Sequence, residues 1–93
     1  MSMRFQWNPT KATKNVRKHS VSFMEAATVF QDVLAYIFAD EDHSEDEHRE
    51  IIIGHSNRNR LLVVSFTERN DVIRIISARK ADHDEREDYE KAK

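Results

Sequence analysis

The sequence predicts an α+β domain in which two N-terminal helices and a C-terminal helix pack on one antiparallel sheet, in the order β-α-α-β-β-β-β-α. Three observations lead there. Met3, Phe5 and Trp7 alternate with Arg4 and Gln6 at the period of a half-buried strand. Two helix-start signals follow, Asn8 with Pro9 and then Ser22 with Glu25. Three β-rich runs, 50–55, 60–67 and 72–78, come next across short polar connections.

Each element has its own cause. Asn8 can accept an orphan backbone N–H and Pro9 has none to lose, so the first helix starts there. It carries Lys11, Lys14 and Lys18 along one face and stops near His19 and Ser20, because Ser22, Phe23, Met24 and Glu25 open a second helix. In that helix Phe23, Ala26, Ala27 and Phe30 fall at i, i+3, i+4 and i+7, one apolar stripe for docking on a sheet. A short strand around Tyr36, Ile37 and Phe38 runs into 40–46, which is polar enough to be a loop. The connections 56–59 and 68–71 hold the Asn and Asp that hairpin turns favour, which predicts a meander of consecutive antiparallel strands. Asp82 with Glu85 is a further capping signal, and Tyr89 is the largest apolar group of a charged last helix.

Composition limits the function. Ninety-three residues make one domain, 1–93, with a modest core. Without cysteine there are no disulfides and no thiolate metal sites, and a reducing cytoplasm is an easy home. The apolar runs 51–53 and 61–64 are far too short for a membrane span or a signal-peptide core, so a soluble, unexported protein is expected. A net charge of −2 hides segregation along the chain. Residues 1–19 hold five bases and no acid, 20–50 nine acids and one base, 51–81 six bases and two acids, and 82–93 six acids and three bases. A local basic surface on an acidic protein is implied, not a general nucleic-acid coat. Gly-rich phosphate loops, serine nucleophile elbows and cysteine constellations are missing, which excludes those enzyme classes.

The run F-x-W-N-P-x-K-x-x-x-N-x-x-K-H-x-V-S-F-x-E-A, from Phe5 to Ala26, closely resembles the N-terminal signature of the BrnT family, ribonuclease toxins of BrnT/BrnA toxin–antitoxin pairs. The likeness continues through Asp42, His43, Ser44, Glu47 and Arg49, through Ile53, Gly54, His55 and Ser56, and through 73–79 with Ala81, Glu85, Arg86 and Tyr89. One departure is Ser20, where the family pattern leads us to expect Gly; a positive φ there would strain a serine. The resemblance implies a RelE-like fold, RNA as substrate, no cofactor, and a BrnA-like antitoxin of ribbon-helix-helix type. DNA would be bound only through the antitoxin complex, since this chain has no recognition-helix signature of its own.

Metal-free RNA cleavage requires a base for the 2′-OH, charge stabilisation on phosphorus and a proton for the leaving 5′-oxygen. His19 is the titrating candidate, beside Lys18; the plainer role is a helix C-cap. Arg79 follows a β run at the mouth of the last helix, where a guanidinium can fork onto a phosphate; the plainer role is a salt bridge with Glu85 or Asp82. Arg49 closes the acidic loop and matches a family position. Glu85 and Tyr89 share one face of the last helix at i and i+4; the plainer role of Tyr89 is that helix's core anchor. Arg60 and Arg74 are expected to project from the sheet face opposite the first two helices, and Lys11 and Lys14, with Arg17 and Lys18, suit RNA backbone contacts. The segment with Asp40, Asp42, His43 and His48 lacks the central glycine of a calcium loop, so no metal is expected. The alternative to a ribonuclease is a non-catalytic RNA- or protein-binding module using the same basic surface.

Overall fold

The computed structural model describes residues 3–43 and 48–91. β1 (Arg4–Gln6) leads into α1 (Pro9–His19) and α2 (Phe23–Thr28), and a 3-10 turn, Val29–Gln31, continues α2. β2 (Tyr36–Ala39), β3 (Glu50–His55), β4 (Leu61–Arg69) and β5 (Val72–Lys80) come after it, then α3 (His83–Lys91). Of the expected acidic loop, Glu41–His43 form a 3-10 turn, and 44–47 lie outside the described residues.

The five strands stand in the order β1-β5-β4-β3-β2. From β2 to β5 they form the expected antiparallel meander, but β1 runs parallel to β5, pairing Phe5 with Ile73 and Gln6 with Arg74. The sheet is therefore mixed, a correction to the antiparallel expectation. The direction of β1 is set by the helix it feeds: α1 has to continue along β5 to place Asn15 on Ala78.

Local chemistry fixes the connections. Asn8 Oδ1 accepts from the N–H groups of Thr10 and Lys11, with Pro9 at the first helical position. Ser20 closes α1 at φ 59°, a left-handed serine whose N–H returns to the Val16 carbonyl. Ser22 Oγ accepts from Glu25 N–H and opens α2. Asn70 and Asp71, both at positive φ, make the two-residue β4–β5 turn, and Asn59 at φ 59° closes the β3–β4 turn.

Because side chains alternate across each strand, the sheet buries two cores. On one face Ile52, Leu62, Val64, Phe66, Ile73 and Ile75 meet Val21, Phe23, Ala26 and Val29 from the α1–α2 side. On the other face Ile53, Leu61 and Val63 meet Tyr89 of α3. A two-sided sheet explains the continuous apolar runs of β3 and β4. The α3 core is the smaller, and α3 leaves part of its face open.

Candidate functional site

The open part of the α3 face carries the arginines. Along this face β4 and β5 present Val63 beside Arg79, Ser65 beside Ser77 and Thr67 beside Arg74. Arg49, just before β3, joins Arg79, Ser65, Ser77 and the carboxylates Asp40 and Asp42 around a groove of about 380 Å³. The Asp40 N–H donates to the Arg49 carbonyl at 2.9 Å, tying the chain on either side of 41–48 together at this rim. Further along, Thr67 and Arg74 line a second, polar groove with Gln6, His48 and Arg69.

Arg79 is oriented rather than loose. Its Nη1 and Nη2 donate to Glu85 Oε1 and Oε2, both at 2.7 Å, and Nη1 also reaches the Lys80 carbonyl at 3.3 Å. Glu85 Oε1 accepts from Asp82 N–H and Asp82 Oδ1 from Glu85 N–H, the reciprocal capping box at the start of α3. The Arg79 hydrogen bonds outweigh burial and hold the Glu85 carboxyl below its ordinary range, while the Arg79 guanidinium is held more firmly protonated. The Arg79 side chain is still 42% exposed and lines the groove, so the bidentate pair does not bury it.

Arg60 departs from expectation. It turns to the α2 side, where Nε donates to Glu25 Oε2 at 2.9 Å, Nη2 donates to Glu25 Oε1, and Nη2 also reaches the Ser20 carbonyl at 3.1 Å. Ser56 Oγ donates to Glu25 Oε2 at 2.6 Å. The buried Glu25 carboxylate needs these partners, and its hydrogen bonds from Arg60, with Ser56 helping, keep it ionised below the usual range. Arg60 is thus a structural clamp on the end of α1, the start of α2 and the β3–β4 turn.

The basic face of α1 stands apart from the groove. Lys11, Lys14, Arg17 and Lys18 are exposed on a helix that packs against the opposite face and the free edge of β5. No hydrogen bond or ion pair among the described residues joins His19 to Arg79 or Glu85, and Ser20, not His19, makes the helix cap. Of the candidates, Arg49 and Arg79 share one groove, Glu85 orients Arg79, and Arg74 comes next on the same face.

Tyr89 is buried and points away from that groove. Its hydroxyl donates to Asp32 Oδ2 at 2.7 Å and lies 3.1 Å from His55 Nδ1. Asp32 also accepts from the backbone N–H groups of His55 (2.8 Å) and Leu34 (2.9 Å). Burial opposes the charge on Asp32, but these bonds prevail and hold its carboxyl below the ordinary range; burial and the Asp32 bond push the Tyr89 hydroxyl up to about 12. Gly54 makes this approach possible, since a Cβ there would lie 2.6 Å from Ala35 Cβ and 3.0 Å from Asp32 Oδ2. Sequence reasoning gave no role to Asp32 and quoted His55 only within a motif. The available signal was alternation, which puts His55 on the same face as Ile51 and Ile53.

A family model described as "Ribonuclease toxin, BrnT, of type II toxin-antitoxin system" matches residues 7–85. The chain belongs to the BrnT family. Its fold is similar to the crystal structure of the Brucella abortus ribonuclease toxin BrnT, with a TM-score of 0.68 and 24% identity over 88% of this chain and 100% of that one. Comparison with the curated proteins gives no match. Membership in this type II toxin family supports a ribonuclease activity and an antitoxin partner. No helix among the described residues is long and apolar enough to cross a membrane.

Proposed function

We propose that this BrnT-family toxin is a metal-independent endoribonuclease of RelE-like fold, one toxin domain over 1–93. Acting in the cytoplasm, it cleaves RNA by attack of a ribose 2′-OH on the adjacent phosphate and so arrests translation and growth. A BrnA-like ribbon-helix-helix antitoxin neutralises it, and DNA is reached only through that complex. The observation that carries the reading is the Arg79 guanidinium, gripped by Glu85 at one edge and open to a groove shared with Arg49, Ser65 and Ser77.

A phosphate in that groove would meet two guanidiniums whose charge is fixed before the substrate arrives, which is where developing negative charge is stabilised most effectively. Arg74 lies next along the same face for a neighbouring phosphate. Lys11 and Lys14 supply backbone contacts to RNA that passes round the β5 edge, where Lys18 and the proton-transfer candidate His19 stand at the end of α1. The test is incubation of purified protein with RNA in EDTA, with Arg79→Ala alongside. Wild-type cleavage that the variant loses supports the reading. Tight binding with intact RNA would favour the alternative, a non-catalytic RNA- or protein-binding module on the same basic surface.

A further inference from the structure

The sheet face that carries Arg79 continues past its groove. Paired positions of β4 and β5 run in sequence along it, Val63 with Arg79, Ser65 with Ser77 and Thr67 with Arg74, and β1 widens the last rung by setting Gln6 beside Arg74. Thr67 lies about 7 Å beyond Ser65, two residues along one strand. At that rung Gln6, Thr67 and Arg74 line a polar groove of about 610 Å³, with His48 as a further wall. His48 is the chain neighbour of Arg49, which lines the Arg79 groove. Three segments, β4, β5 and 48–49, therefore carry one groove into the next.

A β-bulge places Arg74 there. Ser65 pairs with Ser77 but Phe66 pairs with Ile75, so Ile76 is an extra residue in β5. Without it Arg74, three residues before Ser77, would fall on the opposite face. With it Arg74 stands on the Arg79 face while Ile73 and Ile75 stay in the larger core. Among the described residues no ion pair engages the Arg74 side chain, whereas Glu25 holds Arg60 and Glu85 holds Arg79. The fold thus aims an exposed arginine at this groove without using its charge elsewhere.

We propose that the groove is a nucleotide subsite for single-stranded RNA. Arg74 takes the phosphate next to the one at Arg79, and the base attached there leaves its stack to lie against the His48 ring, its edge hydrogen-bonded by Gln6. The proposal rests on the ribonuclease reading and names the substrate as unpaired RNA.

The lining suits a nucleotide better than a bare anion. A guanidinium matches a phosphate, and an imidazole ring gives an unstacked base a surface to rest on. The Gln6 amide both donates and accepts, as the edge of a base requires, while Thr67 and Val72 complete the lining. Glu68 also borders the groove, where a carboxylate accepts from base N–H groups and repels a second phosphate. Duplex RNA does not meet these needs, because its bases are paired and stacked and its major groove is too deep and narrow for side chains to read.

The test uses cleavage of a defined single-stranded RNA, and the same strand with the base removed at one position at a time on either side of the cut. His48→Ala and Gln6→Ala, each with a native circular-dichroism spectrum, are compared with wild type. On the complete strand His48→Ala should lower kcat/KM by about 5–100-fold, the range for one stacked base. On the strand lacking the base that fills the subsite, it should lose nothing further. Gln6→Ala should show the same dependence on that base, and wild type should leave the strand uncut when it is annealed to its complement. If wild type cuts and both variants stay within about twofold of it, or lose equally on every strand, or if the duplex is cut as fast, the subsite is overturned while the ribonuclease reading stands. If wild type leaves the single strand intact, the ribonuclease reading falls and the subsite with it.

Discussion

Asn15 and Ala78 exchange two hydrogen bonds, the Asn15 amide nitrogen donating to the Ala78 carbonyl at 2.8 Å and its oxygen accepting the Ala78 N–H at 3.1 Å. A buried side chain thus does for the free edge of β5 what a neighbouring strand would do, and the same amide nitrogen donates to the Val21 carbonyl between the first two helices. One residue fixes α1 against the sheet, and β1 is short because α1 takes over the edge that it would have covered.

Asn15→Ala should therefore be costly. It leaves the Ala78 N–H and C=O and the Val21 C=O without their partner, at about 2–4 kcal/mol in total. Thermal unfolding should show the midpoint falling by roughly 10 °C or more. An unchanged midpoint would mean that water replaces the amide at no cost.

Ser20→Gly should stabilise the protein. The serine sits at φ 59° and its carbonyl accepts from Arg60, a contact that glycine keeps. Relief of the left-handed conformation should contribute about 0.5–1 kcal/mol net of the extra chain entropy of glycine. Denaturant unfolding of Ser20→Gly and Ser20→Ala compares the two, and an equal response would show that the turn is unstrained.

How much of this was legible in the sequence depended on the range of the interaction. The capping residues Asn8, Ser22 and Asp82 act within a few residues of themselves, and their helices stand where the sequence puts them. The meander from β2 to β5 was legible for the same reason. The parallel seat of β1 was not, because it depends on Asn15 meeting a strand 63 residues later. Arg60 read as a strand-face arginine since nothing nearby in sequence announces Glu25 as its partner. Asp32 was not singled out and His55 stood only within the family motif, because only Tyr89, far along the chain, makes them a cluster.

Arg79 and Glu85 should show a small coupling in stability and a large effect in function. The pair is partly solvent-exposed, so a double-mutant cycle should give about 0.5–1 kcal/mol. Arg79→Ala should nonetheless lower RNA cleavage by about 10²–10³-fold and relieve growth arrest, a loss too large for the change in folding. A folded, fully toxic Arg79→Ala would remove Arg79 from the site.

Stability at high pH should report Tyr89. Its hydroxyl is held protonated up to about 12 in the folded chain against an ordinary value of 10.0. The contribution is complete below pH 10 and is lost as the pH rises from there towards 12. Tyr89→Phe should be less stable than wild type at neutral pH and should lose less over that interval. Glu25, Asp32 and Glu85 act at the other end: their carboxyls are held low, so their contribution is present above the ordinary carboxylate range and disappears as the pH falls through their folded values. Urea unfolding across pH checks both arms, and parallel alkaline profiles for wild type and Tyr89→Phe would contradict the first.

In the proposed reaction this BrnT-family chain cuts RNA by using the substrate's own 2′-hydroxyl. Mass spectrometry of a defined RNA oligonucleotide treated with purified protein in EDTA, beside the same oligonucleotide carrying a single 2′-deoxy sugar at the cut position, tests it most directly. The expected products are a 2′,3′-cyclic phosphate and a 5′-OH from the all-ribose strand, with no cut at the deoxy position. Intact RNA, or cleavage that ignores the missing hydroxyl, would contradict it.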